Sequence, residues 1–263
     1  MKYVRLLLLF MPFILQSYKI QNNPPHLKSG KHWVSLFNGK DLDHWKLKIV
    51  GHPLQDNFGN TFRVSDKILS TRYNAYDSFN GRFGSIFYDK KFTNFRLKVE
   101  YRFVGELTVG APAWGYKDGG IQYHCQAPET MGLNQAFPVC LEYNILGGKD
   151  TGEERATGEI CASGMYVEVN GKRNASYCTP PTVKRTITGD KWVTAEIEVR
   201  DGNITHYVNG EKVLEFQNPR YDSTHTEGKK FIVAGKDIVH DGYISLQSNS
   251  HPMDFRKVEI MEY

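Results

Sequence analysis

The chain has 263 residues, of which 24% are charged, and a formal net charge of +4. A balance this mild does not indicate a basic nucleic-acid-binding surface, so no nucleic-acid partner is expected. Aromatic residues make up 13% of the chain. Such rings serve both as strand formers and as stacking surfaces for sugars.

The N-terminal segment has the layout of a secretory signal peptide. Lys2 and Arg5 precede an apolar stretch at residues 6–15, after which the chain turns polar. This stretch is about half of the roughly 20 apolar residues that cross a bilayer, so no transmembrane segment is predicted. We expect a signal peptide at residues 1–20, a Pro- and Asn-containing spacer at residues 21–33, and a periplasmic, secreted or cell-surface location.

Alternation of apolar and polar residues predicts β-strands along the rest of the chain. Residues 95–103 and residues 192–200 place apolar side chains on one face and polar side chains on the other. Asn-Gly pairs at 170–171 and 209–210 separate β-forming runs, and such pairs favour the positive φ angles of a two-residue hairpin turn. Residues 192–216 are therefore predicted to form a three-stranded meander.

The remaining segments favour a single all-β domain. Further strands are predicted at residues 243–248 and 255–261, whereas the Gly-rich and charged residues 147–164 indicate a long loop. Many short strands joined by tight turns predict a β sandwich or jelly roll rather than alternating strands and helices. We expect this domain to span residues 34–263.

The cysteines lie at Cys125, Cys140, Cys161 and Cys178. In an exported protein the default state of cysteines is disulfide-bonded, and the absence of a C-x-x-C pair argues against a structural zinc site. Cys161 and Cys178 flank the predicted Asn-Gly turn at 170–171, where partner strands return alongside each other, so we predict a disulfide between them. Cys125 and Cys140 are the remaining possible pair.

Four segments carry a resemblance to a known family. They are VSLFNGKDLDHWK (34–46), GGIQYHCQAPETM (119–131), FPVCLEYNILGG (137–148) and ISLQSNSHPMDFRKVEI (244–260). With a His-bearing strand, an F-P-x-x-x-E strand followed by Leu-Gly-Gly, and S-H-P-x-x-F-R near the end, the chain resembles the 3-keto-disaccharide hydrolase domain family. The resemblance implies a concanavalin A-like jelly roll, export, and action on glycosides oxidised at carbon 3.

Two of these segments carry the candidate catalytic residues. Alternation places Gln122 and His124 on one face of their strand, and Glu142 and Asn144 on one face of theirs. If both faces line one sheet surface, His124 and Glu142 form an acid–base pair, with Glu142 acting on carbon 2 and His124 on the leaving oxygen. The alternative is that both are hydrogen-bonded structural groups. A Cys125–Cys140 bridge would turn His124 and Glu142 to opposite faces unless a bulge intervenes.

Other polar and aromatic residues are candidates for substrate binding. Arg102 and Arg256 carry donors for hydroxyls or a keto oxygen, although ion-paired arginines on a solvated strand face are the alternative. His251 precedes Pro252, which keeps it extended in a loop, and Trp114 is a candidate stacking platform. The full predicted binding set is Gln122, Asn144, Glu100, Arg102, Trp114, His251 and Arg256.

The chemistry implied by the resemblance follows from the ketone. A carbonyl at carbon 3 acidifies the hydrogen on carbon 2, so a base can remove that hydrogen while an acid protonates the departing oxygen on carbon 1. Water adding across the resulting enone completes a net hydrolysis.

Alternative functions stay open at this point. A conventional two-carboxylate glycosidase is disfavoured on the Glu142 strand, because Asn144 and Gly147 stand where laminarinase-type enzymes carry acids. Either that activity or a non-catalytic carbohydrate-binding module could use the same fold. No cofactor and no set of metal ligands is predicted, although the sequence does not exclude that a divalent cation assists. The expected partner is a small-molecule or oligosaccharide substrate.

Overall fold

The computed structural model describes residues 32–149, 151–174 and 176–263. Within them the chain forms strands and four short 3-10 turns, at Phe58–Asn60, Ala113–Gly115, Pro128–Thr130 and Gly228–Phe231. The strands are β1 (Val34–Ser35), β2 (Trp45–Ile49), β3 (Phe62–Ser65), β4 (Ile68–Thr71), β5 (Gly84–Phe92), β6 (Phe95–Phe103), β7 (Asp118–Cys125), β8 (Cys140–Leu146), β9 (Glu159–Ser163), β10 (Met165–Val169), β11 (Lys172–Arg173), β12 (Cys178–Thr179), β13 (Val193–Arg200), β14 (Asn203–Val208), β15 (Glu211–Tyr221), β16 (Gly242–Ser248) and β17 (Met253–Glu262).

These strands form two antiparallel sheets. The 10-stranded sheet has the order β11-β10-β15-β14-β13-β6-β17-β4-β3, with β1 pairing to β17. The 7-stranded sheet has the order β12-β9-β8-β7-β16-β5-β2. The predicted all-β sandwich is therefore confirmed.

The core lies between the sheets and follows the alternation of the strands. On β6 the side chains of Phe95, Leu97 and Val99 are fully buried, while the intervening charged residues are partly exposed. The 7-stranded sheet contributes Ile121 and Tyr143, among others, to the same core. Each such side chain contributes roughly 1.5–3 kcal/mol through removal of its apolar surface from water.

The predicted hairpins form as expected. Strands β13, β14 and β15 make the meander, and both turn residues of each Asn-Gly pair have positive φ, as a type I′ turn requires. The predicted loop at residues 147–164 is wrong at its end, because Glu159–Ser163 pairs with β8 as strand β9.

Other predictions concern the N-terminus and the membrane. The predicted signal peptide and residues 21–31 of the predicted spacer lie outside the described residues. Among the residues that are described, no helix has the length and apolar character needed to cross a membrane.

The outer face of the 7-stranded sheet, turned away from the core, carries polar side chains on its central strands. Ile121 and Leu141 point into the core, so Gln122 and Glu142 point outward. Yet all eight residues of β7 are buried. Loops therefore cover this polar face, and the space beneath them forms a cleft.

Candidate active site

A cleft of about 480 Å³ lies over the outer face of the 7-stranded sheet. Its volume falls within the roughly 300–1,000 Å³ typical of ligand pockets. Among the described residues, no lysine or arginine lines it. The lining residues are Trp114, Asp118, Phe137, Glu142, Asn144, Cys161, Ser163, Tyr177, Cys178, His225, Gln247 and Asn249.

Glu142 projects from β8 into the cleft. Its Oε2 accepts hydrogen bonds from Nε2 of Gln122 (2.9 Å) and from Nε2 of Gln247 (3.1 Å). Burial raises the pKa of this carboxyl group to about 8; the Gln122 hydrogen bond lowers it, and repulsion from Asp118 and Glu159 adds to the rise. Glu142 is therefore mostly protonated at neutral pH and can act there as a proton donor.

Asp118, the first residue of β7, supplies the second carboxyl group of the cleft. Nδ2 of Asn249 donates to its Oδ1 at 2.5 Å, and Nη2 of Arg155 donates to its Oδ2 at 3.2 Å. Burial raises the pKa of Asp118 to about 7, although the Arg155 charge and the Asn249 hydrogen bond oppose this. Carboxyl groups that titrate near neutrality in one cleft are typical of acid–base sites.

Three amide side chains line the cleft with their oxygens unpaired. Asn144, Gln247 and Asn249 each donate their NH₂ group to a carboxyl oxygen. Their carbonyl oxygens are buried and have no hydrogen-bond partner within the described part of the chain. Since buried polar atoms nearly always have partners, a ligand that brings hydroxyl donors would satisfy them.

Aromatic rings form one wall. Trp114 is 53% exposed, and its ring stacks on Phe83, with ring centroids 5.7 Å apart and an interplanar angle of 9°. Phe83 in turn contacts Phe137, at 5.1 Å between centroids. An exposed, supported indole at a cleft of this kind offers a flat surface for a sugar ring.

The disulfide predicted between Cys161 and Cys178 is confirmed. The two residues lie opposite each other on β9 and β12 and line the cleft. Glu159 is close enough to both sulfurs to resemble a metal-binding group. Sulfurs joined in a disulfide are not thiolate ligands, however, and the described residues contain no other such group of three His, Cys, Asp or Glu ligands.

His225 enters the cleft from the turn after β15. Its Nδ1 accepts hydrogen bonds from the backbone N–H groups of Glu227 and Gly228, both at 3.2 Å. In the neutral ring the proton therefore lies on Nε2. His225 can thus offer an N–H donor to a ligand in the cleft.

The prediction that His124 and Glu142 share one site is wrong. From Gln122 to Cys125 there are three residue steps on β7 but only two on β16, from Ser245 to Tyr243, so β7 contains a bulge. His124 has a φ of 51° at this bulge and turns inward. The centroid of its ring lies 6.1 Å from that of Phe95, and it lines a different cavity, of about 260 Å³. Burial there lowers its pKa to about 4.

The same bulge changes the surroundings of Cys125. Its side chain reaches the outer face of the sheet, where it packs with Phe87 and Cys140 in a small apolar cluster. Both cysteines are buried and free, so the second possible bridge, Cys125–Cys140, is not present.

Glu100, Arg102 and Arg256 do not reach the cleft, which corrects their prediction as binding residues. They lie on β6 and β17 of the other sheet. Nε of Arg256 donates to Glu100 at 2.5 Å, and Nη2 of Arg102 donates to Asp254 at 2.8 Å. Both guanidinium groups also lie over the Trp192 ring, at 4.5 and 4.7 Å. These arginines are therefore ion-paired groups on a strand face, which was the alternative to a role in substrate binding.

His251 is fully buried rather than exposed in a loop for ligand contact. Its ring packs between those of Phe103 and Tyr116, at 5.4 Å from each. Burial lowers its pKa to about 4. The nearby cleft residue is instead Asn249, two positions earlier.

The predicted residues that meet at the cleft are Glu142, Asn144 and Trp114 in its lining, with Gln122 bonded to Glu142. Several lining residues were not predicted. Asp118 directly precedes the G-G-I-Q segment, and Gln247 and Asn249 alternate along ISLQSNS, so strand alternation could have identified them. Two others, Tyr177 and His225, come from loops and carry no such signal.

Solved structures support the fold assignment. A candidate glycosyl hydrolase from Parabacteroides distasonis is similar with a TM-score of 0.54 and 20% identity, over 89% of this chain and 95% of that one. A second candidate glycosyl hydrolase from the same organism has a TM-score of 0.51 and 16% identity, over 88% and 100% of the two chains. A Bacillus subtilis protein of unknown function with a galectin-like fold has a TM-score of 0.52 and 10% identity, over 89% and 97%.

At these identities the likeness concerns the fold alone. A search of curated proteins finds no match. The family described as the 3-keto-alpha-glucoside-1,2-lyase-like domain, however, matches residues 32–261. The chain therefore belongs to the 3-keto-alpha-glucoside-1,2-lyase-like domain family.

Proposed function

We propose that the cleft cleaves 3-keto-α-glucosides by elimination between carbons 1 and 2 followed by hydration, with Asp118 and Glu142 as the acid–base pair. The observation that carries this proposal is the presence of two carboxyl groups in one cleft, with pKa values of about 7 and about 8. The family description names a 1,2-lyase, which corresponds to the elimination step.

The roles follow from the two pKa values. Asp118 has the lower pKa and is more often ionised near neutral pH, so it is assigned as the base that takes the hydrogen from carbon 2. Glu142 retains its proton and passes it to the departing oxygen on carbon 1. This assignment replaces the sequence-based pair, because His124 lies in another cavity.

The steps balance without an outside oxidant. The C2–H electron pair moves to form the C1=C2 double bond as the C1–O bond breaks, and the proton from Glu142 joins the leaving oxygen. Water then adds its hydroxyl to carbon 1 and its hydrogen to carbon 2. Nε2–H of His225 is a suitable donor to the oxygen on carbon 3 while negative charge develops there.

Substrate binding would use the neutral part of the cleft. The Trp114 ring, supported by Phe83, is proposed to stack on one sugar ring. The unpaired oxygens of Asn144, Gln247 and Asn249 would accept hydrogen bonds from sugar hydroxyls. Both interactions suit an uncharged, polyhydroxylated ligand.

One assay tests the reaction against its alternatives. The protein is incubated with a 3-keto disaccharide and, separately, with the unoxidised parent, and products are followed in D₂O. Cleavage of the keto sugar alone, with deuterium appearing at carbon 2, supports the proposal. Cleavage of the parent would instead indicate a conventional glycosidase, and binding of either sugar without cleavage would indicate a binding module.

We also propose that the protein is exported to the periplasm, the cell surface or the medium. The Cys161–Cys178 disulfide supports this, because such bonds persist in oxidising compartments. Fractionation of the source cells, followed by mass determination of the mature N-terminus, tests it. Recovery of the full-length chain from the cytoplasm would contradict export.

A further inference from the structure

The guanidinium group of Arg155 forms hydrogen bonds with several residues around the start of β7. Nη1 of Arg155 donates to the carbonyl oxygens of Tyr116, Lys117 (2.9 Å) and Gly147 (3.0 Å). Nη2 donates to the carbonyl oxygen of Trp114 (2.9 Å) and to Oδ2 of Asp118 (3.2 Å). The Arg155 side chain is only 13% exposed, so these contacts replace its hydration.

The backbone that Arg155 holds is not in a relaxed conformation. Lys117 has a φ of 42°, in the left-handed region that residues with a Cβ rarely adopt. A conformation of this kind persists only where surrounding contacts impose it. The carbonyl groups on both sides of this residue accept hydrogen bonds from Arg155, and the Gly147 N–H also donates to the Lys117 carbonyl oxygen at 2.8 Å. The guanidinium is therefore one of the contacts that impose this conformation.

We infer that Arg155 is a positioning residue, which holds the Asp118 carboxylate and the backbone of the Trp114 platform in a single arrangement facing the cleft. The inference rests on the proposed function of the cleft. Arg155 itself does not line the cleft and therefore acts through these two groups. The planar guanidinium group is needed because its two terminal nitrogens bond different partners. Nη2 donates to the Trp114 carbonyl and the Asp118 carboxyl group, while Nη1 donates to three further carbonyls.

The positive charge of Arg155 also stabilises the ionised form of Asp118. The titratable or charged groups near Asp118 are the Arg155 guanidinium, the carboxyl groups of Glu159 and Glu142, and the Tyr177 hydroxyl, while the Asn249 amide donates to Asp118. Of these, Arg155 alone is cationic, and its charge lowers the pKa of Asp118. Removing the charge should therefore raise the pKa of Asp118 further, and a lysine should preserve part of the effect without the planar guanidinium group.

The test compares Arg155→Met and Arg155→Lys with wild type. The Asp118 titration is followed by ¹³C NMR of the carboxyl carbon, and KM and kcat are measured on a 3-keto disaccharide. We expect R155M to move the Asp118 titration and the acidic limb of kcat/KM to higher pH, with about a 10²-fold loss of kcat/KM. R155K should restore most of the Asp118 titration, but both variants should have a higher KM than wild type, because neither an ammonium group nor a thioether can hold Asp118 and the Trp114 carbonyl together.

Arg185→Met is the matched control, since Arg185 forms an exposed bidentate pair with Glu211, at 2.7 and 2.6 Å. Circular dichroism establishes that each variant is folded, and R155K carries the test if R155M does not fold. An unchanged Asp118 titration together with an unchanged KM in a folded Arg155 variant overturns the inference. If wild type does not cleave the keto sugar, the proposed function fails separately, and the titration and the dissociation constant of the unoxidised disaccharide still decide the role of Arg155.

Discussion

The carboxyl group of Glu142 occupies the space into which a side chain on residue 120 would project. A Cβ added to Gly120 would lie 2.6 Å from the Glu142 carboxyl carbon. Gly120→Ala should therefore displace the carboxyl group and lower kcat on a 3-keto disaccharide by about 10²-fold. The overpacking should also cost roughly 1–3 kcal/mol in the free energy of unfolding.

Gly132→Ala is the control for this substitution. Gly132 has no neighbour closer than 3.9 Å to an added Cβ, and its φ is not positive. Its variant should match wild type in both kcat and stability. Normal turnover by the Gly120 variant would show that the carboxyl position is unimportant for the reaction.

Burial of Glu142 predicts that wild type loses stability as the pH rises. The folded pKa of about 8 lies above the ordinary value of 4.5, so between these values the folded state retains a proton that the unfolded chain releases. Glu142→Gln removes this linkage. The free energy of unfolding of the variant minus that of wild type should therefore increase by roughly 3–5 kcal/mol between pH 4 and pH 9. Urea titrations across this range measure it, and a constant difference between the two proteins would contradict the assigned pKa.

The carboxyl pair predicts a bell-shaped dependence of kcat/KM on pH. Activity should rise as Asp118 ionises near pH 7 and fall as Glu142 loses its proton near pH 8. Because the two groups repel each other, the apparent values belong to the pair. Asp118→Asn and Glu142→Gln should each lower kcat by about 10²–10⁴-fold. A rate that is flat from pH 5 to pH 9 would rule out this pair.

His124 should be dispensable for turnover. It lies at a bulge in a left-handed conformation and lines a cavity distinct from the cleft. Asparagine tolerates that conformation better than most residues, so His124→Asn should preserve kcat and KM within about threefold while changing stability. A loss of kcat in a folded H124N variant, measured on the same keto disaccharide, would restore His124 to the reaction.

The cleft should discriminate against anionic sugars. Its lining includes Asp118 and Glu142 but, among the described residues, no lysine or arginine. A glycoside bearing a carboxylate in place of the 6-hydroxymethyl group should bind at least about tenfold more weakly than its neutral parent at pH 9, where both carboxyl groups are ionised. The difference should shrink at pH 5, where both are protonated. Equal calorimetric affinities at pH 9 would contradict this electrostatic selection.

Local pattern was sufficient to predict much of the fold. Alternation along residues 95–103 and the Asn-Gly turn at 209–210 depend on side chains only a few positions apart, so they are readable in a single sequence. The Cys161–Cys178 bridge was also predicted from sequence, but its strands β9 and β12 pair in the 7-stranded sheet, whereas the Asn-Gly hairpin between them, β10–β11, belongs to the other sheet.

The tertiary structure decided which polar residues meet. Alternation placed His124 beside Gln122, but one extra residue at the bulge reversed its direction, because every side chain after a one-residue slip faces the other side of a sheet. Likewise, Glu100 and Glu142 both follow polar alternation, and only the pairing of strands into two sheets assigns them to opposite sides of the sandwich. Asp118 became a candidate through burial and the Arg155 contact, both of which arise from chain segments far apart in sequence.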